Sequence, residues 1–206
     1  SAPLIPGSPA ATGTPVPVAP IGQGESGGIP TPAAASPPLF KAKVWTGGRS
    51  MSSIGDLDPS GDARLRADFS PIGAGIASIR LANQFTSVEQ IDHVEIQAAH
   101  ELRFANSDGS TTGVALVPFA AAAIKVNGFV VPLAGTPSLP VWNESAPGVF
   151  EAQILDASDQ PVLVLRRVFS IEPKTYSMSV RQTIENRGGL PLQIEWFQIG
   201  PVELPK

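Results

Sequence analysis

From Tyr176 to Ile184 the bulky apolar residues fall on even positions: Tyr176, Met178, Val180 and Ile184. Ser177, Ser179, Arg181, Thr183 and Glu185 fall between them. Strict alternation over this length predicts a half-buried β-strand, with one face to a core and one to water. The run Asn186-Arg187-Gly188-Gly189 then supplies residues that tolerate positive φ, so the chain can reverse. Alternation resumes at Leu190, Leu192, Ile194 and Trp196. The pattern therefore predicts a closing hairpin with Val180 opposite Ile194 and Met178 opposite Trp196. In that hairpin Tyr176, Met178, Val180, Ile184, Ile194 and Trp196 are buried together, and Val180→Asp unfolds the domain. A one-residue slip would turn the whole apolar set outward.

The same period recurs along the rest of the chain. Phe40 to Trp45 reads as a first short strand, and the turn-rich stretch from Thr46 to Gly61 as a loop. Ala63, Leu65, Ala67 and Phe69 alternate with polar residues. Gly73-Ala74-Gly75 breaks that strand and Ile76, Ile79 and Leu81 return from it, which predicts a hairpin. Ser87 to Gln90 fits a helical turn capped by Ser87. Val94, Ile96 and Ala98 form another alternating set, followed by Leu102 and Phe104 and the turn Asn106-Ser107-Asp108-Gly109. The Ala120 to Ala123 run favours helix locally, but Pro118 and Asn127-Gly128 on its flanks favour strand. Ile124 to Val126 and Phe129 to Val131 read as a hairpin about Asn127-Gly128. Gly135 to Pro147 reads as a loop. Phe150, Ala152 and Ile154 form a strand, and Val162 to Phe169 another. Ten or so short strands with closely spaced turns and no amphipathic helix predict an all-β, antiparallel sandwich or barrel.

Composition divides the chain. The first forty residues hold ten of the 22 prolines, six of the 20 glycines and a single charge, Glu25. Residues 1–39 read as a disordered Pro/Ala/Gly-rich linker, because such a segment cannot bury enough apolar surface to offset its ordering entropy. Residues 40–206 suffice for one domain with a sizeable core. Net charge is −4 with both signs interspersed, so no basic stripe points to a nucleic acid. The absence of cysteine excludes disulfides and thiolate chemistry. No apolar run is long enough to span a membrane. A chain that begins Ser1-Ala2-Pro3 and ends Pro205-Lys206 reads as a fragment, with any anchor expected outside it.

Candidate chemistry is sparse. His93 and His100 lie seven apart, which puts them on opposite faces of a strand, so they read as surface or strand-edge residues and not as a metal pair. Asp56 and Asp58 in DLDPSGD lack the distal glutamate of a calcium loop and read as a solvated turn. Glu185 and Glu195 fall on the solvent parity and are not a catalytic pair. Asn143-Glu144-Ser145 matches a glycosylation sequon. Among Trp45, Trp142 and Trp196, Trp196 has core parity. Trp142, in a Pro-rich stretch, is the one weak candidate for partner binding. Arg166-Arg167 reads as a solvated pair at a strand end. No catalytic, cofactor-binding or metal-binding residue is assigned.

Two blocks carry a family resemblance. One is Arg167-Val168-Phe169, Tyr176-x-Met178-x-Val180, Ile184-x-Asn186, Pro191-Leu192 and Gly200-Pro201. The other is Leu65-x-Ala67-x-Phe69, Gly73-Ala74-Gly75-Ile76 and Ser78-x-x-Leu81. In order and spacing they resemble the large periplasmic domain of the YidC membrane protein insertase family, between its first and second transmembrane helices. That family has adjacent glycines where this chain has Gly-x-Gly. The resemblance implies a galactose-mutarotase-like β-supersandwich, joined by the linker to a transmembrane helix before Ser1 and followed by the insertase core after Lys206. It also implies a non-enzymatic, cofactor-free periplasmic module of the bacterial inner membrane. Its expected contacts are Sec translocon subunits (SecF, SecD, SecY) or nascent membrane proteins.

Two rival readings stand beside it. A mutarotase-like sugar epimerase needs a general acid and a general base, histidine and glutamate, converging on one sheet face. A secreted carbohydrate-binding sandwich would bind glycans through Trp142.

Overall fold

The computed structural model describes residues 39–46 and 51–202; the linker expected over residues 1–39 lies outside them but for Leu39. The described residues contain no α-helix and fourteen strands, every pairing antiparallel. The chain is an all-β, antiparallel sandwich.

The largest sheet is built on β11 (Val149–Asp156), β12 (Pro161–Ile171) and β13 (Met178–Asn186), in that order. The other edge of β11 is shared by two short strands, β1 (Phe40–Ala42) beside its end and β10 (Asn143–Ala146) beside its start. A second sheet runs β2 (Ser53–Gly55), β3 (Leu65–Ser70), β4 (Gly75–Phe85) and β5 (His93–Ala98). A third runs β14 (Ile194–Gln198), β8 (Ala121–Val126) and β9 (Phe129–Pro132). The hairpin of β6 (His100–Ala105) and β7 (Thr111–Leu116) pairs with neither. The turn from Ser87 to Gln90, expected to be helical, is a single turn closed by the Gln90 N–H donating to the Ser87 carbonyl.

Several expectations hold. Leu65, Ala67 and Phe69 are buried and Arg66 and Asp68 are not, and β3 turns into β4 through Gly73-Ala74. The β8–β9 hairpin turns on Asn127 (φ 47°) and Gly128 (φ 88°), the left-handed pair that a tight two-residue hairpin requires. The alanine run is strand, not helix: Ala121 and Ile124 are fully buried between β14 and β9, and sheet packing overrides the local helix propensity. β2 and β10, three and four residues long, lie inside stretches read as loops, because strands this short leave no period to detect.

The core joins inner faces of the three larger sheets. Phe150, Ala152 and Ile154 of β11 and Leu163, Leu165 and Phe169 of β12 are buried in strict alternation. Phe69 packs edge-on to Phe150 at 5.0 Å and against Phe169 at 4.9 Å between ring centres. Gly73 and Gly75 let the β3–β4 turn press against the segment before β8. A Cβ on Gly73 would stand 2.6 Å from the Ala121 carbonyl oxygen, and one on Gly75 would stand 2.6 Å from Val117.

The closing hairpin is corrected by the structure. β13 pairs with β12, placing Val180 opposite Phe169 and Ile184 opposite Leu165. β14 crosses to the third sheet and pairs with β8, placing Ile194 opposite Val126 and Trp196 opposite Ile124. The link between them is drawn onto β8 by Asn127, whose N–H donates to the Gln193 carbonyl and whose Oδ1 accepts from the Gln193 N–H. Glu195 consequently faces Lys125, at 2.9 Å, and not Ser179. The six residues expected to share a core do not. Met178, Ile194 and Trp196 are half-buried, and Val180 and Ile184 are 39% and 37% exposed. Tyr176 is exposed, its hydroxyl donating to Asn83.

Arg167 is the second correction. Expected in water, it is 0% exposed and points into the sandwich, while Arg166 beside it is exposed. One guanidinium nitrogen donates to the carbonyls of Gly73 (2.9 Å) and Ala74 (3.1 Å). The other donates to the Phe119 carbonyl (2.7 Å) and the Gln198 amide oxygen (3.3 Å). No carboxylate pairs with it among the described residues. Burial lowers its pKa to about 10. The folded state therefore binds this proton less tightly than the unfolded state, so the burial of the charge works against folding at neutral pH and is relieved only as pH rises through about 10. Below that the buried cation costs about 3 kcal/mol, which the four hydrogen bonds must offset.

Two predictions follow from this packing. Phe150→Ala should lower the free energy of unfolding by about 3–5 kcal/mol in urea titration, whereas Val180→Asp, at the exposed edge, should cost no more than about 1 kcal/mol. Arg167→Met should cost about 2–4 kcal/mol because it leaves buried carbonyls without their donor. Arg167→Lys should recover little of that loss, since an ammonium lacks the planar fork that spans the four acceptors.

Candidate functional site

Trp142 lies in the core, not on the surface. It is 1% exposed, its indole N–H donates to the Leu133 carbonyl at 3.0 Å, and its ring meets Trp196 edge-on at 6.5 Å. Its Pro-rich surroundings suggested a loop, but β10 starts at the next residue, Asn143, and the indole is part of the core cluster. Trp45 is half-buried with Lys43 over its ring at 4.4 Å. The three tryptophans form no exposed stacking platform, so the proposed sugar-binding role of Trp142 has no surface to act from.

The histidines also stay apart. His93 lies on β5, with Nδ1 2.9 Å from the Leu81 carbonyl oxygen and its ring stacked on Phe85 at 4.7 Å. His100 opens β6, in a different sheet. Asp56 and Asp58 cap their own turn: Asp56 accepts from the Asp58 N–H, and Asp58 from the hydroxyl and N–H of Ser60. The Ser60 bonds hold the Asp58 carboxyl below the usual carboxylate range. No group of three His, Cys, Asp or Glu among the described residues could hold a metal. Asn143 of the sequon is half-buried on β10, opposite Glu151.

What the structure does offer is a polar cleft of about 830 Å³ on the outer face of the largest sheet. It is built from the parity that the core discards. Where Phe150, Leu165 and Ile184 face inward, their neighbours face out in rows across three strands. One row is Glu151, Arg166 and Thr183; the next is Gln153, Val164 and Glu185. Gln160 and Pro161 of the β11–β12 turn close one end, where Arg187, its N–H bonded to the Val162 carbonyl and its side chain paired with Glu185 at 3.0 Å, stands beside them. The lining carries both signs of charge and amide groups, and no aromatic ring. It suits hydrogen bonding to an extended polar chain better than stacking on a sugar. None of its residues except the Arg and Glu of the closing strands was singled out by the sequence, because an outward polar residue on a strand has the same pattern whether it lines a cleft or meets open water.

A second polar cluster, on the outer face of β3 and β4, is centred on Asp68. Asp68 accepts from Arg66 (2.9 Å), Arg80 (2.8 Å) and Ser78 (3.1 Å). Partial burial pushes its carboxyl up, but the bonds from Arg80, Arg66 and Ser78 and the charge of Arg66 outweigh this and leave it below the usual carboxylate range. A depressed carboxylate stabilises the fold above its unfolded pKa, and that contribution is lost as pH falls through the folded one. Asp68→Asn should therefore cost about 1 kcal/mol at pH 7. The gap between the two proteins should close below about pH 4 in denaturant titrations at stepped pH.

Compared with known proteins, the chain matches no family model, no curated protein and no solved structure.

Proposed function

We propose that this chain is a non-enzymatic binding module of a YidC-like membrane protein insertase, held at the periplasmic face of the bacterial inner membrane by segments outside it. Its task is to contact Sec translocon subunits or nascent membrane proteins, with the polar cleft as the contact surface. The fold in this reading is a β-supersandwich of the galactose-mutarotase type, of which the antiparallel sandwich is the coarser description.

One observation carries the reading. The two blocks of sequence that resemble the family, about ninety residues apart, are in contact. Arg167 of one donates to the carbonyls of Gly73 and Ala74 of the other, and Phe169 packs on Phe69. The family reading requires such contact, since both blocks then belong to one core. The cleft adds support, since its mixed charges and amides can bind the backbone and polar side chains of an extended polypeptide with little sequence preference.

The test is site-specific photo-cross-linking in cells carrying the full-length gene. A photoreactive residue at Arg166 or Gln160, inside the cleft, should form adducts with translocon subunits or nascent inner-membrane proteins. The same residue at Ser110, on the β6–β7 turn, should form at least about tenfold fewer. Equal labelling at both places, or a gene without apolar helices flanking this region, would overturn the proposal. Anomerisation of sugars above the buffer rate would instead favour the epimerase reading.

A further inference from the structure

We infer that the free edge of β13 is a self-association surface, and that its occupant is β13 of a second copy of this chain. Among the described residues β13 hydrogen-bonds to β12 alone. It is nine residues long, contains no proline or glycine, and runs against β12 without a register shift. Of the other edge strands, β1, β10, β2 and β9 are three or four residues long, with β9 ending in Pro132, and β5, β6, β7 and β14 are five or six, so β13 is the longest free edge among the described residues. Proteins blunt long flat edges with inward charges, prolines or bulges. The inward face of β13 is instead Met178, Val180, Gln182 and Ile184, uncharged throughout, with Val180 39% and Ile184 37% exposed although both face the core side.

The strand is complementary to itself in one antiparallel register. A two-fold axis perpendicular to the sheet keeps the same face inward in both copies, so it must pass through a residue of the strand. Centred on Gln182, it sets Val180 of each copy against Ile184 of the other. Arg181 then faces Thr183, Ser179 faces Glu185, and each Arg181 lies diagonal to the opposite Glu185. Centred on Arg181, it would set two arginines face to face, which is destabilising. Centred on Thr183, it would leave Val180 opposite Asn186 and Ile184 opposite Gln182, and the apolar pairs would be lost. Of the registers that pair seven or more residues of the strand, those centred on residues 181, 182 and 183, only the Gln182 register sets Val180 against Ile184 without like charges directly opposite. It also brings both exposed apolar residues of each copy under the other's strand, continuing the inner face that Leu165 and Phe169 form on β12. This inference stands on the edge strand alone and does not depend on the insertase reading.

The chain contains no cysteine, so single-cysteine variants of the whole 206-residue chain report the register directly. Facing residues of an antiparallel pair have Cα atoms about 4.5–5.5 Å apart, within reach of a disulfide. Under mild oxidation Gln182→Cys should form a covalent dimer, with Arg181→Cys and Thr183→Cys at least about tenfold less cross-linked. Sedimentation equilibrium should find the unmodified chain dimerising with concentration. The double variant Val180→Lys, Ile184→Lys should be monomeric with an unchanged β circular-dichroism spectrum. The inference is overturned by a wild-type chain that stays monomeric, by strongest cross-linking at 181 or 183, or by Gln182→Cys adducts to a different polypeptide in place of the dimer.

Discussion

The sandwich depends on one buried cation. Arg167 extends from the middle of β12 across the interior and binds carbonyls from the β3–β4 turn and from the segment before β8, and the amide of Gln198 at the end of β14. Those acceptors belong to the two sheets that face the first, so a single side chain ties three sheets at one point. A lysine could not reach four acceptors spread in a plane, and a neutral apolar chain would leave them unpaired. The rings of Trp142 and Phe169 stand 5.9 Å and 5.1 Å from the guanidinium carbon, so the cation is also met by aromatic faces. The glycines serve the same junction. Gly73 and Gly75 allow the turn to approach Ala120 and Ala121 closely enough that its carbonyls lie within reach of Arg167.

This junction marks the limit of what local sequence can say. In Val162 to Phe169 the inner parity is Leu163, Leu165, Arg167 and Phe169, so the period alone places Arg167 inward; it is the residue type, a charge, that argued for water. Its burial follows from long-range geometry: the acceptors are about 48 and 94 residues away. The same reasoning separates parity from pairing in the last two strands. Their even-numbered residues do face inward, as the alternation requires, because parity is a property of each strand by itself. The partner of each strand is not. The Gly-Gly run permitted a reversal, but β12 was already adjacent to β13 in sequence, and the hydrogen bonds between Asn127 and Gln193 take β14 to β8. Where a turn itself was diagnostic, as at Asn127-Gly128, the pairing was legible down to the register.

The polar cleft was illegible for a related reason. Its rows are made by register across β11, β12 and β13, and a row such as Glu151, Arg166 and Thr183 exists only once both pairings are known. Trp142 failed in the opposite direction: prolines before it suggested an exposed loop, yet its indole is buried, bonded to the Leu133 carbonyl and packed on Trp196. Composition describes the solvent exposure of a segment on average, and a large aromatic in that segment can be its one anchored residue.

The two faces of the largest sheet then divide the work. Its inner face is apolar apart from Arg167 and, on the β13 edge, Gln182, because that face packs on the other sheets. Most of its polar residues lie on the outer face, where their rows form a cleft. At β13 the inner face outruns the sheets that cover it, so Val180 and Ile184 keep core parity while meeting water. An apolar residue on core parity at an uncovered edge has no advantage to an isolated chain, because burial is what compensates its exposure in the unfolded state. A second copy paired on this edge would bury the part of Val180 and Ile184 that the sheets leave in water.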